Sequence, residues 1–248
     1  MSKPYLFTAD LHLGSSDRQD ESRKEAALAA LIEHAGEHAA GLVLLGDLFE
    51  FWFEYRHTIP KRAARLLTRI ADLHESGVPV DFIGGNHDVW LAGYLAREFN
   101  VSAHSRPISL SIGSRRVFVA HGDEMVAGND PGYRLLRRIL RNRVAPRLFA
   151  LLHPDLGIPL GRAVSGWSRE YKKEKDFFLG DALAKSIESA FDAGHDAVVM
   201  GHLHTARHLK LPRGECLILG GWSGRLSVVS LDGGEFRHLE WPAGGMAV

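Results

Sequence analysis

Cysteine is almost missing from this 248-residue chain. Cys216 stands alone, which excludes an internal disulfide and fits a reducing compartment. Net charge is missing too: thirty Lys and Arg face thirty Asp and Glu, so no global field points to nucleic acid. No apolar run approaches the roughly 20 residues that a bilayer-spanning helix needs. Nor does a basic-then-apolar signal segment stand at the start, where Met1-Ser2-Lys3-Pro4-Tyr5 runs straight into strand-like sequence. Internal repeats and low-complexity linkers are also absent. These absences lead to the expectation of a cytoplasmic protein, long enough for one large α/β domain or two small ones.

Histidine is plentiful, with 14 residues, several of them beside Gly and Asp rather than within helical patterns. The stretch Leu42-Val43-Leu44-Leu45-Gly46-Asp47 shows why this matters. Its apolar run reads as a buried strand, and Asp47 falls just past the carboxyl end, where sites of α/β sheets collect. Both oxygens of a carboxylate placed there are expected to be free to point into one cleft. Tyr5 to Ala9 reads the same way and ends at Asp10-Leu11-His12. Residues two apart on an extended chain share a side, so Asp10 and His12 are expected to face one site together. Val78 to Ile83 ends at Gly84-Gly85-Asn86-His87-Asp88, with Asp88 a candidate cap for a helix over Val89 to Phe99.

Ile108 to Ile112 and Arg116 to Ala120 flank Gly113-Ser114, a hairpin signal, and the second strand ends at His121. From Asp130 to about Phe191 helical patterns dominate. Ala197 to Met200 restores the sheet and ends at Gly201-His202-Leu203-His204. The remainder reads as short, mainly antiparallel strands. The expected fold is α/β, with two packed sheets flanked by helices.

Each block taken singly is weak. Gly46-Asp47 fits a turn, Asn86-His87-Asp88 a helix cap, and Gly201-His202-Leu203-His204 an exposed edge. Together they are specific, because five strand candidates each end in Asp, Asn or His. Carboxylate, imidazole and amide oxygen suit divalent first-row ions such as Mn, Fe or Zn, and the lack of cysteine disfavours a structural zinc site. Two ions about 3.5–4 Å apart clamp the attacking and leaving oxygens of a phosphoryl displacement.

In that order, Asp10-X-His12, Gly46-Asp47, Gly85-Asn86-His87-Asp88, His121 and Gly201-His202-X-His204 resemble the calcineurin-like metallophosphoesterase signature. The resemblance implies a four-layer αββα sandwich with a dimetal centre. It places Asp10, His12 and His204 on one metal and Asn86, His121 and His202 on the other, with Asp47 bridging. His87 matches the family's catalytic histidine. A narrower resemblance lies in Gly46-Asp47-Leu48-Phe49-Glu50-X-Trp52, His121-Gly122-Asp123, Asp130-X-Gly132-Tyr133 and Gly220-X-Trp222. These look like the UDP-2,3-diacylglucosamine pyrophosphohydrolases of lipid A synthesis, which usually use manganese. The best-known branch has Arg where this chain has His87.

One helical insert, about 125–175 within the single domain 1–248, is expected to overhang the cleft as a lid. Residues 131–175 carry eleven Lys and Arg against three Asp and Glu, a net of +8. Arg134, Arg138 and Arg141 fall on one helical face, and leucines supply apolar sides. Such a lid suits a substrate with phosphates and acyl chains, and also the surface of an anionic membrane, including the cytoplasmic face of an inner membrane. By the same resemblance Asp130, Ser168, Lys172, Lys173 and Lys175 are the candidate substrate-binding residues. Nucleic acid ranks lower, because the patch lies among leucines rather than stacking aromatics. Three functions stay open: a nucleotide-lipid pyrophosphatase, a soluble phosphodiesterase or phosphatase, and a non-catalytic scaffold of the same fold.

Overall fold

The computed structural model of the chain describes residues 3–126, 131–142, 144–173 and 180–242. Its first half alternates strand and helix: β1 (Tyr5–Thr8), α1 (Arg18–His38), β2 (Gly41–Leu44), α2 (Ala64–Glu75), β3 (Val80–Ile83), α3 (Leu91–Phe99) and β4 (Ser102–His104). The hairpin β5 (Ile108–Ile112) and β6 (Arg115–Ala120) follows. Next come five helical segments: α4 (Asp123–Val126), α5 (Pro131–Leu140), α6 (Ala145–Phe149), α7 (Pro154–Lys173) and α8 (Asp181–Asp192). The chain closes with β7 (Ala197–Met200), β8 (Arg207–Leu211), β9 (Gly214–Ile218), β10 (Leu226–Asp232) and β11 (Glu235–Trp241).

A six-stranded sheet runs β11-β10-β1-β2-β3-β4 and a five-stranded sheet runs β5-β6-β7-β9-β8. Strand alternation sorts the side chains into three apolar layers. Phe7, Val43, Ile83, Val117, Val199 and Leu217 fill the space between the sheets. Leu6, Leu42, Leu44 and Phe82 point the other way, onto Leu28 and Leu31 of α1, Ile70 of α2 and Leu95 of α3. Val198, Met200, Cys216 and Ile218 of the second sheet meet Leu183 and Ile187 of α8. The result is a four-layer αββα sandwich, as the resemblance implied.

Helix α1 begins at Asp17, whose carboxylate accepts from Gln19 N and Asp20 N, both at 2.9 Å. Helix α2 is reached through a 3-10 turn at Lys61–Ala63 after Pro60, and Gly77, at φ 93°, follows it in the left-handed region. The short strand β4, absent from the sequence reading, pairs in parallel with β3. Its residues Ser102-Ala103-His104 carry no apolar run to reveal it.

Candidate metal centre

The carboxyl ends of β1, β2, β3, β6 and β7 converge on one edge of the sandwich. Thr8 pairs with Leu44 in parallel register, and Ala120 pairs with Met200, so the segments that follow leave the sheets side by side. Backbone bonds hold those segments together: Asp10 N donates to Gly46 O (3.1 Å), His12 N to Asp47 O (2.9 Å) and Gly201 N to His121 O (2.9 Å).

The way Asp10 and His12 share a side differs from the expectation. They do so through left-handed turns, with φ of 56° and 48°, because β1 has already ended at Thr8. Asp47 (51°), His202 (71°) and His204 (55°) are left-handed too. Among the described non-glycine residues only Asn100, at a helix end, shares this conformation without belonging to the cluster. Non-glycine residues held there cost of order 1–3 kcal/mol each and gather at functional sites. Glycines make the close approach feasible. A Cβ at Gly85 would overlap Asp47 Oδ1, and one at Gly201 would stand 2.6 Å from Asp10 Oδ2.

Ligand atoms face each other across the cleft. His12 Nε2 lies 3.1 Å from His204 Nε2, and His121 Nε2 lies 3.2 Å from His202 Nδ1. Asp47 Oδ2 stands between the two pairs, 3.6 Å from His12 Nε2 and 3.4 Å from His121 Nε2. Its other oxygen, Oδ1, accepts from the His87 backbone N at 2.9 Å. The expectation of two free oxygens is therefore corrected: one oxygen is held by the backbone and one is aimed at the centre. Asn86 Oδ1 is 3.3 Å from His121 Nε2. Asp10 Oδ1 is 3.6 Å from His204 Nε2, and Asp10 Oδ2 accepts from His202 N at 2.7 Å. His121 Nδ1 is fixed on Leu45 O at 2.7 Å, which directs Nε2 into the cleft.

Among the described residues, the metal-capable groups are Asp10-His12-His204, Asp47-His121-His202 and His12-Asp47-His87, with ligand atoms in each within 4.8 Å of one another. Two imidazole pairs on either side of Asp47, with Asp10 and Asn86 and no thiolate among them, form a donor set suited to divalent first-row cations.

The electrostatics agree with a site built for positive charge. Burial opposes ionisation of Asp47, but the imidazoles of His121 and His87 outweigh it and hold the carboxyl well below its usual range. Burial and the neighbouring His12 push His204 down to about 3, which leaves its ring neutral and able to donate a lone pair. Burial also disfavours charge on His121, yet Asp47 overrides it and lifts the ring to about 10.

Asp88 does not use its side chain as a helix cap. Its carboxylate accepts from Asp47 N (3.0 Å), Leu48 N (2.8 Å) and Gly85 N (3.0 Å), and so shapes the turn that presents Asp47. Burial and the charge of Asp47 raise it to about 7 against those bonds. Asp123, two residues beyond His121, is buried and grips the lid side of the cleft. Arg137 Nε donates to it at 2.8 Å and Arg141 Nη2 at 3.2 Å. Arg141 thus turns inward, away from the expected face shared with the exposed Arg134 and Arg138. Of the candidate substrate-binding residues, Asp130 and Lys175 lie outside the described residues. Ser168, Lys172 and Lys173 have their backbone on α7, and their side chains are likewise outside the described set.

A cavity of about 250 Å³ adjoins the cluster beneath α5, α6 and α7. Its apolar wall comes from Phe51, Trp90, Leu140, Phe149, Leu160 and Val164, and Asn86 and His87 line its other side. Trp90 Nε1 donates to Leu140 O at 2.9 Å, tying the end of α5 to the turn that carries His87.

A solved structure shares this architecture. A novel archaeal phosphodiesterase superposes with a TM-score of 0.50 over 96% of this chain and 99% of its own, at 14% identity. Among curated proteins, a UDP-2,3-diacylglucosamine hydrolase of Porphyromonas gingivalis is 35% identical over 209 residues, 84% of this chain and 79% of the relative. The protein of the same name from Aeromonas salmonicida is 30% identical over 237 residues, 94% of this chain and 91% of its own. Residues 3–206, which span every member of the cluster, match the calcineurin-like phosphoesterase family, and the chain belongs to that family.

Proposed function

We propose that the chain hydrolyses the pyrophosphate bond of UDP-2,3-diacylglucosamine to UMP and 2,3-diacylglucosamine 1-phosphate. The observation that carries this reading is the contact between the two halves of the site. Asn86 and His87 belong to the polar cluster and also line the apolar cavity under α5 to α7, so one substrate can place a phosphate and an acyl chain at once. The relatives named for this substrate support it.

In this reading Asp10, His12 and His204 would hold one divalent ion and Asn86, His121 and His202 the other, and Asp47 would serve both. Mn2+ is the first choice of metal, with Fe and Zn as the other candidates. Bound ions supply Lewis acidity toward phosphoryl oxygens and a nucleophile at neutral pH. The chain's own residues do the rest. Asp47 holds the two halves of the cluster in one frame. His87 Nδ1 lies 3.0 Å from Glu50 O, so the ring carries a proton there and turns Nε2 toward the cleft, 3.8 Å from Asp47 Oδ2. In its charged form His87 presents Nε2–H to the leaving phosphate, which takes the proton as the bond between phosphorus and the bridging oxygen breaks. Segment 125–175 serves as the lid, and its cavity shields one acyl chain from water.

The lid's outer side exposes Leu148, Leu151 and Leu156, with Leu151 82% accessible. Beside the exposed arginines of α5, this face suits the anionic cytoplasmic surface of an inner membrane, where the lipid substrate resides. No described helix is long and apolar enough to cross a membrane. Replacing Leu151 and Leu152 with Ser should weaken flotation with anionic vesicles, and undiminished flotation would remove the membrane contact from this reading.

The substrate claim is tested by comparing UDP-2,3-diacylglucosamine with bis(p-nitrophenyl) phosphate. Leu160→Ser, at the half-exposed rim of the cavity, should raise KM for the lipid several-fold, since each methylene that an acyl chain covers is worth about 0.8 kcal/mol. The small diester should be cleaved at the parental rate. Equal losses on both substrates, or no cleavage of the lipid, would favour the second reading, a soluble phosphodiesterase. That reading draws on the histidine at 87, which matches the general family form.

A further inference from the structure

One buried carboxylate beside the cluster has no part in the roles above. Glu50 follows β2 in the chain and is only 2% exposed. Its neighbours Leu48, Phe49 and Trp52 all belong to the apolar core under the helices. An apolar residue would fit such surroundings at lower cost, because a buried carboxylate is expensive unless it is paired.

Its placement supplies the reason. Glu50 Oε2 lies 3.2 Å from His12 Nδ1. The opposite nitrogen of that ring, Nε2, faces Asp47 Oδ2 and His204 Nε2. The backbone carbonyl of the same residue lies 3.0 Å from His87 Nδ1. The rings of His12 and His87 stand edge to face, perpendicular, with centroids 4.7 Å apart. Glu50 itself is anchored through its N–H on Leu13 O at 2.9 Å. Above it passes α7, where a Cβ at Gly166 would come within 4.0 Å of Glu50 Oε1.

We propose that Glu50 is the positioning residue of the metal centre. Its carboxylate, at ion-pair distance from His12 Nδ1, favours the ring proton on that nitrogen and would leave the lone pair of Nε2 available to an ion held with Asp10 and His204. Its backbone carbonyl does the same for His87, leaving that ring's Nε2 for the reacting phosphate. One residue thus orients a metal ligand by its side chain and a catalytic group by its main chain. The inference rests on the dimetal reading, with His12 as a ligand. Because the two duties use different atoms, substitution separates them: changing the side chain touches the His12 ion and spares the one held by Asn86, His121 and His202.

The test is Mn2+ binding to the full chain, followed by calorimetry and by the paramagnetic resonance signal that distinguishes a coupled ion pair from an isolated ion. The parent should take up two ions as a coupled pair. Glu50→Leu should weaken one site by about 10–100-fold, the usual cost of losing a carboxylate behind a metal-bound histidine. It should show an isolated-ion signal at concentrations that fill both sites of the parent, and His12→Ala should do the same. Glu50→Gln, whose amide oxygen can still accept from His12 Nδ1, should restore most of the lost affinity. Two sites of parental affinity in both variants would overturn the role of Glu50 alone. Equal weakening of both sites by Leu and Gln, with a lower melting temperature of the metal-free chain, would reduce Glu50 to a structural residue. A parent that binds fewer than two ions would overturn the dimetal reading and the Glu50 role with it.

Discussion

The two residues at the centre of the cleft have separable jobs. Asp47 Oδ2 is shared by both ligand groups, whereas His87 Nε2 stands 3.8 Å from that oxygen, farther than His12 at 3.6 Å and His121 at 3.4 Å. Asp47→Ala should therefore abolish most turnover and weaken both ions. His87→Ala should retain two ions by metal analysis and lose about 10²–10⁴-fold in rate, the usual contribution of a positioned acid or base. Loss of metal from His87→Ala would make that residue a ligand and redraw the roles. At this scale the cluster of proposed ligands was legible in the sequence because each residue sits within a few positions of a strand's end. Asp88 was misread as a helix cap. Its partners Asp47 and Leu48 lie about 40 residues away, and only the folded chain shows that the carboxylate serves the neighbouring turn. Glu50 was visible only as part of a motif, since nothing local reveals that its side chain reaches back to His12.

Among the elements, α5 is held to the sandwich by a small set of polar contacts, chief among them Asp123 with Arg137 and Arg141. Burial resists ionisation of Asp123, but His121, Arg141 and Arg137 overcome it and depress the carboxyl below its ordinary 3.8. A carboxyl depressed on folding adds stability above its unfolded value and loses it as pH falls through the folded one. Asp123→Asn should accordingly lower the melting temperature near neutral pH, and the gap from the parent should close as the pH drops below about 4. A gap independent of pH would mean that the carboxylate charge is not what holds α5. The continuous apolar run of β2 was readable from the chain. The lid was readable only as helical. Its leucines look alike in sequence, yet Leu160 lines the cavity while Leu151 faces outward, a difference set by how α7 lies over Phe51 and Tyr55.

For the molecule as a whole, the five left-handed residues of the cluster are a standing cost that bound cations offset, since ligand binding to the native state stabilises it by mass action. Chelation should lower the melting temperature and readdition of Mn2+ should restore it. An unchanged transition would mean that the cluster is held in shape by its surroundings alone. The position of the lid in the chain has a separate consequence. It fills the connection between β6 and β7, two strands already joined in parallel register, and α8 completes that crossover by packing on the second sheet. None of the seven proposed ligands lies inside it. On the proposed reading, the insert is an exchangeable cassette plugged into a fixed reaction centre, so a new insert would redirect the same hydrolytic chemistry to a different phosphate ester without a single proposed ligand having to change.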